Sequence, residues 1–375
     1  MSMFYELMMR KKEETLYPVI KGSLTESPEG VFSGFSSSNY LITQDYIDID
    51  NTSNIEIVVK INKPSNKDQN MFIATDTNFG FVLRTTYSGY ISCYVGNGNS
   101  FNIANGVTGT HILDNNKDYY VKIKIANGSF NVMISEDNQT YITDNTFDIS
   151  SLTTTKQYLV NFGIGRTTST YFTGSIDLNK SYIKIDNTKY KLQAVVGYTI
   201  VGSPTIVDGV VSGFSLSNYL TIQTIDFSQP FEIETSFILN SSATSSIADN
   251  YIFNTYSGRY FALSVTSTRY VNIRYGNGTS WTAKTSQYRC SVDTKYYIKL
   301  VYNGTSLNIY ISTDDITYTL VDSIETSQSY PQSKLYIGVL GINGSTIGGE
   351  FYGSIDIANS LIKVNNKLYF NGQQA

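Results

Sequence analysis

The chain repeats itself. Gly30–Leu41 reads GVFSGFSSSNYL and Gly209–Leu220 reads GVVSGFSLSNYL, an offset of about 180 residues that persists along the sequence. Gly96–Phe101 (GNGNSF) returns as Gly276–Trp281 (GNGTSW). Tyr119–Lys122 (YYVK) returns as Tyr296–Lys299 (YYIK), and Phe172–Leu178 (FTGSIDL) as Phe351–Ile357 (FYGSIDI). The entry matches too, since YPVIKGS at Tyr17 resembles YTIVGS at Tyr198. Matches kept in one order require two copies of one fold. Residues 17–194 are the first domain and 195–375 the second, joined near Gln193–Val195 without a Gly/Ser- or Pro-rich linker. Residues 1–16 lie outside the repeat.

Each copy is patterned for strands. In Tyr119–Ile125, Tyr119, Val121, Ile123 and Ile125 share one face and Tyr120, Lys122 and Lys124 the other, the period-two pattern of a half-buried strand. Asn127-Gly128 then supplies the two positive-φ residues of a tight hairpin, and Phe130, Val132 and Ile134 alternate on the return. The second copy repeats this at Tyr296–Tyr302 and Leu307–Ile311. Its Asn303-Gly304 stands one residue further from the first apolar residue, so the two turns should differ. Further strands are expected at Ile55–Ile61, Met71–Ala74, Gly80–Arg84, Tyr90–Tyr94 and Tyr182–Ile185. About ten short strands per copy, broken by Gly, Asn, Asp and Ser, predict an all-β chain of two antiparallel sandwiches. Composition agrees: there are 31 Tyr and 19 Phe, while charged residues are only 15%.

The opening S-x-S-N-Y-L segment, the central YY-[VI]-K hairpin and the closing F-x-G-S-I-D pair resemble those of concanavalin A-like, laminin-G-type jelly rolls. That resemblance implies first and last strands side by side. It says little about function, since the fold hosts lectins, glycanases, adhesion modules and capsid parts. The Asn/Ser/Thr/Tyr-rich texture and the leader also resemble bacteriophage virion proteins that carry such modules. This implies a structural protein of the phage particle, exposed on head or tail. Its expected partners are other virion proteins of capsid or tail, sister copies in a homo-oligomer, and a host surface glycan.

Several classes are excluded. The net charge is −4 and the pI about 5.2, so there is no basic footprint for nucleic acid. No apolar run approaches the ~18 residues of a membrane span, and MSMFYELMMRKKEE is not patterned as a signal peptide. The two cysteines, Cys93 and Cys290, are too few for a disulfide framework and read as buried thiols. The one histidine, His111, allows no His-based metal cluster and reads as a surface residue near a strand end.

For catalysis the nearest pattern is Glu232-Ile233-Glu234, two acids on one strand face. A retaining glycanase needs such a pair about 5–5.5 Å apart, and the resemblance implies a third acid, which is absent here. The solvent face of a strand is the simpler placement, and no enzyme activity is expected. Asp137 in one copy, and Asp314 and Asp315 in the other, lie in Ser-x-Asp loops. Ca²⁺ is the ion such oxygens would take, but two or three are too few, and Asx turns explain them. No cofactor is expected.

Loops rich in Tyr, Asn, Ser and Gly offer an adaptable surface with large aromatic contacts. Sugars suit it, because their C–H faces stack on rings while hydroxyls meet amides. Phe101 and Trp281, at matching places after the Gly-Asn-Gly turns, are the first aromatic candidates, followed by Tyr87, Tyr256 and Tyr260, with Asn97 and Asn277 as amides. The alternatives are a cell-surface lectin, with or without Ca²⁺, and a glycanase. In the leader, Phe4, Leu7 and Met8 fit one helical face, followed by Arg10 and Lys11. Such a face cannot be buried alone, so it is expected to dock on a partner.

Overall fold

The computed structural model describes residues 14–27, 29–63, 70–75, 79–164, 171–244, 249–255, 260–277, 279–326, 330, 332–342 and 345–372. The docking-arm residues Phe4, Leu7, Met8, Arg10 and Lys11, and the aromatic candidate Tyr256, lie outside these. Among the described residues the structure is strands and turns, with one 3₁₀ turn at Ser241–Thr244. Two compact units divide the chain at Ala194 and Val195.

In unit 1 one sheet runs in the order Glu14–Leu16, Thr188–Leu192, Ser175–Ile185, Ile55–Asn62, Asp118–Ala126, Ser129–Ser135, Ile142–Asp148. The other runs Ala104–Ile112, Tyr90–Gly98, Phe79–Thr85, Asn70–Thr75, Val160–Phe162, Tyr40–Ile42, Val19–Lys21. Unit 2 repeats the second order, and the first from its third strand on; its two outer strands there are counterparts of Thr25–Glu26 and Val31–Ser33, which in unit 1 pair beside Ser175–Ile185. Its first sheet is Thr205–Val207, Val210–Ser212, Gly353–Val364, Phe231–Leu239, Lys295–Tyr302, Ser306–Ser312, Thr319–Glu325. Its second is Tyr198–Val201, Tyr219–Asp226, Gln332–Ile337, Asn250–Thr255, Phe261–Val265, Tyr270–Gly276, Trp281–Arg289. Pairing is antiparallel, except that Glu14–Leu16 lies parallel to Thr188–Leu192. Leu16 packs on the core of unit 1, so the sandwich includes Glu14–Leu16.

Opening and closing motifs sit side by side, as the jelly-roll pattern demands. Phe32 pairs with Ile176 in unit 1, and Val211 with Ile355 in unit 2. The period-two strands bury the face they should. Tyr119, Val121, Ile123 and Ile125 are at most 1% exposed. Asn127 and Gly128 take φ of 51° and 72°, closing the expected tight turn. In unit 2 the turn does differ: Asn303 Oδ1 accepts from the Thr305 and Ser306 amides, and only Gly304 has positive φ.

The repeated motifs turn out to be core devices. The first tyrosine of YY-[VI]-K is buried, and its hydroxyl accepts a backbone amide. Tyr119 takes Asp114 N and Tyr296 takes Ser291 N, both at 2.8 Å. Many other tyrosines are spent in the core, Tyr158, Tyr251, Tyr330 and Tyr336 being fully buried. Cys93 and Cys290 are buried and free, and burial pushes both thiols up to about 12. Neither should react with a thiol reagent at pH 8 in the native protein, and both should react once the chain is unfolded in denaturant. Rapid native labelling of either would contradict this placement.

Each unit also seats a buried aspartate on its first sheet, with different partners. Lys60 Nζ lies 3.3 Å from Asp177 and 2.7 Å from Asp118. In unit 2 the aspartate is Asp356, but the position of Lys60 is Ser236 and that of Asp118 is Lys295, whose Nζ lies 3.0 Å from Asp356. The lysine has changed strands while the aspartate has stayed. Its backbone carbonyl is held alike in both units, by Ser181 Oγ at 2.6 Å and Ser360 Oγ at 2.7 Å.

Acid should weaken unit 1 through Asp50. Its carboxylate accepts from the Thr155 hydroxyl at 2.6 Å and from Thr52 and Ser53, and these bonds pull it down to about 2. A depressed native value means the stabilisation is present above the unfolded value of about 3.9 and is lost as pH falls towards 2. Asp50 is open to solvent, which limits the effect to about 1 kcal/mol. The Tm difference between wild type and Asp50→Asn should therefore shrink from pH 5 to pH 2. A constant difference would refute the assignment.

Candidate functional site

The Gly-Asn-Gly turns end the strands Tyr90–Gly98 and Tyr270–Gly276. Asn97 Oδ1 accepts the amides of Asn99 and Ser100 at 3.1 and 3.2 Å, and Asn277 Oδ1 those of Thr279 and Ser280 at 3.0 and 3.1 Å. Both side-chain oxygens thus hold the turn together. Immediately after, the chain presents Phe101 in unit 1 and Trp281 in unit 2, each half-buried.

These rings rest on further aromatic groups. The Phe101 ring lies 5.4 Å from Tyr94, and the Arg84 guanidinium lies 4.8 Å from the same Tyr94 ring. In unit 2 Trp281 packs on Tyr251, Ala262 and Leu340. The Arg274 guanidinium lies 5.6 Å from the Trp281 ring and 5.5 Å from Tyr251. Asp249 anchors this corner: its Oδ2 accepts from Arg274 Nη2 at 3.0 Å, Asn272 Nδ2 at 2.9 Å and Ser264 Oγ at 3.5 Å. Tyr260 is at the same end, its carbonyl accepting the Gly276 amide at 2.8 Å. Each unit therefore builds an arginine–aromatic corner at the end of its second sheet.

Arg84, Tyr94, Arg274, Tyr251, Asp249 and Asn272 are site members that the sequence did not single out. A signal existed in Val271-Asn272-Ile273-Arg274. The apolar members face the core, which turns Asn272 and Arg274 to the opposite side.

Other candidates fall elsewhere. Tyr87 is 61% exposed but sits in the turn before Tyr90–Gly98. Phe101 follows the far end of that nine-residue strand, about 30 Å away at ~3.3 Å per residue. Asp137 Oδ1 accepts the Thr140 and Gln139 amides and the Ser135 hydroxyl, and these bonds hold the carboxyl below its usual range. Asp314 is used the same way by Ser312, Thr317 and Ile316. Asp315 accepts the Tyr318 hydroxyl at 2.6 Å. These are turn-closing roles, and among the described residues no cluster of three His, Cys, Asp or Glu could hold a metal. His111 stands on Ala104–Ile112, an edge strand.

Glu232 and Glu234 lie on the solvent side of Phe231–Leu239, alternating with buried Phe231 and Ile233. Glu234 Oε1 is 2.5 Å from Lys299 Nζ, and Glu232 Oε2 is 3.7 Å from Lys363 Nζ. Their mutual hydrogen bond, with burial, pushes Glu232 up. Glu234 stays low: burial would raise it, but the bond from Glu232 and the Lys299 ammonium outweigh that. Unit 1 has one glutamate here, Glu56, bonded to the Tyr182 hydroxyl and 3.5 Å from Lys122.

No protein-family model matches the sequence, and no curated protein matches it. Among solved structures, the LG4–5 domains of the mouse laminin alpha1 chain are 11% identical, with 97% of this chain and 95% of that chain covered and a TM-score of 0.35. The LG1–3 region of the laminin alpha2 chain is 13% identical over 94% of this chain and 65% of that one, with a TM-score of 0.31. The exoplasmic domain of VIP36, in its Ca²⁺/Man3GlcNAc-bound form, is 11% identical over 42% and 79%, with a TM-score of 0.31. No residue role is carried over from likenesses this distant.

Proposed function

We propose that the chain is a non-catalytic binding protein that holds carbohydrate at its arginine–aromatic corners, one per unit, as an exposed part of a bacteriophage particle. The observation that supports carbohydrate is the corner itself. Trp281 with Arg274 and Tyr251, and Phe101 with Tyr94 and Arg84, place a half-exposed ring beside a planar donor group. A sugar C–H face stacks on such a ring, and its oxygens accept from the guanidinium. The place on a particle rests on the texture of the sequence and its low charge, and the partners there are other virion proteins.

The test is incubation of the purified chain with a panel of bacterial surface glycans, reading retained sugar and released fragments together. Retention without fragments is expected, unchanged by a chelator. Trp281→Ala should weaken unit 2 retention by about tenfold or more. Released fragments would make the protein a glycanase. Loss of binding in chelator would make it a metal-dependent lectin. Absence of the chain from purified particles would remove the virion part alone.

A further inference from the structure

The unit 2 corner contains an unusual pair of atoms. Trp281 Nε1 and Arg274 Nε are both shielded from solvent, and neither donates to any acceptor. Buried N–H groups left without an acceptor are rare, and each calls for an explanation. Here the two belong to side chains in direct contact, the guanidinium lying 5.6 Å from the indole ring. The nearby carboxylate does not serve them: Asp249 Oδ2 already takes Asn272, Ser264 and a different nitrogen of Arg274, Nη2. The indole N–H and the guanidinium are donors only. What satisfies both at once is a group with two accepting oxygens and no proton of its own to place.

We propose that the unit 2 corner selects acidic glycans, and that the ligand's carboxylate is taken by Arg274 Nε and Trp281 Nε1 while its ring stacks on the indole. This rests on the carbohydrate-binding reading and narrows it to sugars that bear a carboxyl group. A carboxylate offers two oxygens, one for each donor, and charge-assisted bonds are about twice as strong as neutral ones. A hydroxyl fits less well, because it brings a proton that needs an acceptor of its own. Trp281 is partly exposed. The ligand reaches the ring from solvent, and both shielded N–H groups are uncovered by a side-chain shift as it binds.

The corner of unit 1 is built differently. The position of Arg274 is Tyr94 there, and that of Trp281 is Phe101, which has no N–H to give. The acid preference is therefore assigned to unit 2 alone.

The test uses the full chain and matched polymers: polygalacturonate, hyaluronan and polysialic acid, each beside its carboxyl-reduced product. Wild type should retain at least one acidic polymer about tenfold or more over its reduced partner. Trp281→Phe puts a smaller ring without a donor in its place, and it should bring that ratio close to one, the unit 1 corner still retaining neutral glycans. Arg274→Gln should likewise bring the ratio close to one. Because Arg274→Gln leaves Asp249 without its cation and risks the fold, Trp281→Phe is the deciding variant. An acid preference that survives Trp281→Phe, or no preference where neutral glycans are retained, overturns this proposal and leaves carbohydrate binding standing. Retention of no polymer, acidic or neutral, overturns both.

Discussion

Gly163→Ala should lower the stability of unit 1 by about 3 kcal/mol or more, and Gly338→Ala should do the same to unit 2. Two costs add. Gly163 has φ of 81° and Gly338 of 83°, a region where an L side chain costs about 1–2 kcal/mol. A Cβ built there would also lie 2.0 Å from the ring of Phe35 or of Phe214, and forced overpacking costs about 1–3 kcal/mol. Neither ring can step aside. Phe35 is 5% exposed and lies 6.4 Å from Phe172; Phe214 is 8% exposed and lies 6.2 Å from Phe351. The backbone is held as well: Gly163 N donates to Phe72 O and Gly163 O accepts from Phe172 N, as Gly338 N and O do with Ile252 O and Phe351 N. At about 2–4 °C per kcal/mol for domains of this size, the Tm should fall by about 6–12 °C. A change below about 2 °C in either variant would show that the phenylalanine has room to move.

Asp144→Ala should cost about 3 kcal/mol, and Asp144→Asn much less. Asp144 is 7% exposed, and its Oδ1 accepts the amides of Thr110 and His111, both at 2.8 Å. It stands on Ile142–Asp148, the edge of one sheet, and the amides belong to Ala104–Ile112, the edge of the other. The ladder with Tyr90–Gly98 slips register at this point, so those amides depend on the carboxylate. Alanine would orphan two N–H groups at about 1–3 kcal/mol each, whereas asparagine keeps an accepting oxygen. Gly109 allows the approach, since a Cβ there would fall 1.7 Å from Asp144 Oδ2. In unit 2 the matching residue is Val321, and the acid stands one place further on, at Asp322, which pairs at 2.6 Å with Lys284. Asp322, 10% exposed, accepts the amide of its neighbour Ser323 but none from the other sheet, so Asp322→Ala should cost about 1–2 kcal/mol, less than Asp144→Ala. Denaturant titrations of the three variants check this, and equal losses at Asp144 and Asp322 would refute the two-amide account.

The sandwich was legible because its information is local. Period two at Tyr119–Ile125 and the Asn127-Gly128 dipeptide each need only neighbouring residues. The repeat marked Phe35 and Phe172 as significant, since Gly34-Phe35 and Phe172 fall inside the matching segments. What it could not show is that the two rings meet above Gly163, because NFGI and its counterpart YIGV share too little to be noticed. The corner was half legible. Phe101 and Trp281 stood out after their turns, but Arg84 and Arg274 lie at non-matching repeat positions, where the counterparts are Ser264 and Tyr94. Alignment of the halves hid them. Tyr87 misled for the opposite reason: it is close to Phe101 in sequence, yet an extended strand carries the chain straight away from it. In the leader, the boundary at 16 missed Glu14–Leu16 because three residues joined in parallel carry no alternation to read.

The migrating lysine bears on how two such similar halves avoid one another as they fold. Tandem copies risk exchanging strands while both are still unmade. Suppose Lys295–Tyr302 took the place of Asp118–Ala126 beside Ile55–Asn62. Lys295 would then arrive at the position of Asp118, and Lys60 would lose an anion and gain a like charge. In the reciprocal exchange Asp118 would stand where Lys295 serves Asp356, two carboxylates with no cation between them. The correct partnerships satisfy every charge, and the crossed ones strand like charges on a sheet in both directions. A pair of compensating changes that leaves each sandwich intact thus sets a charge penalty against the crossed pairings.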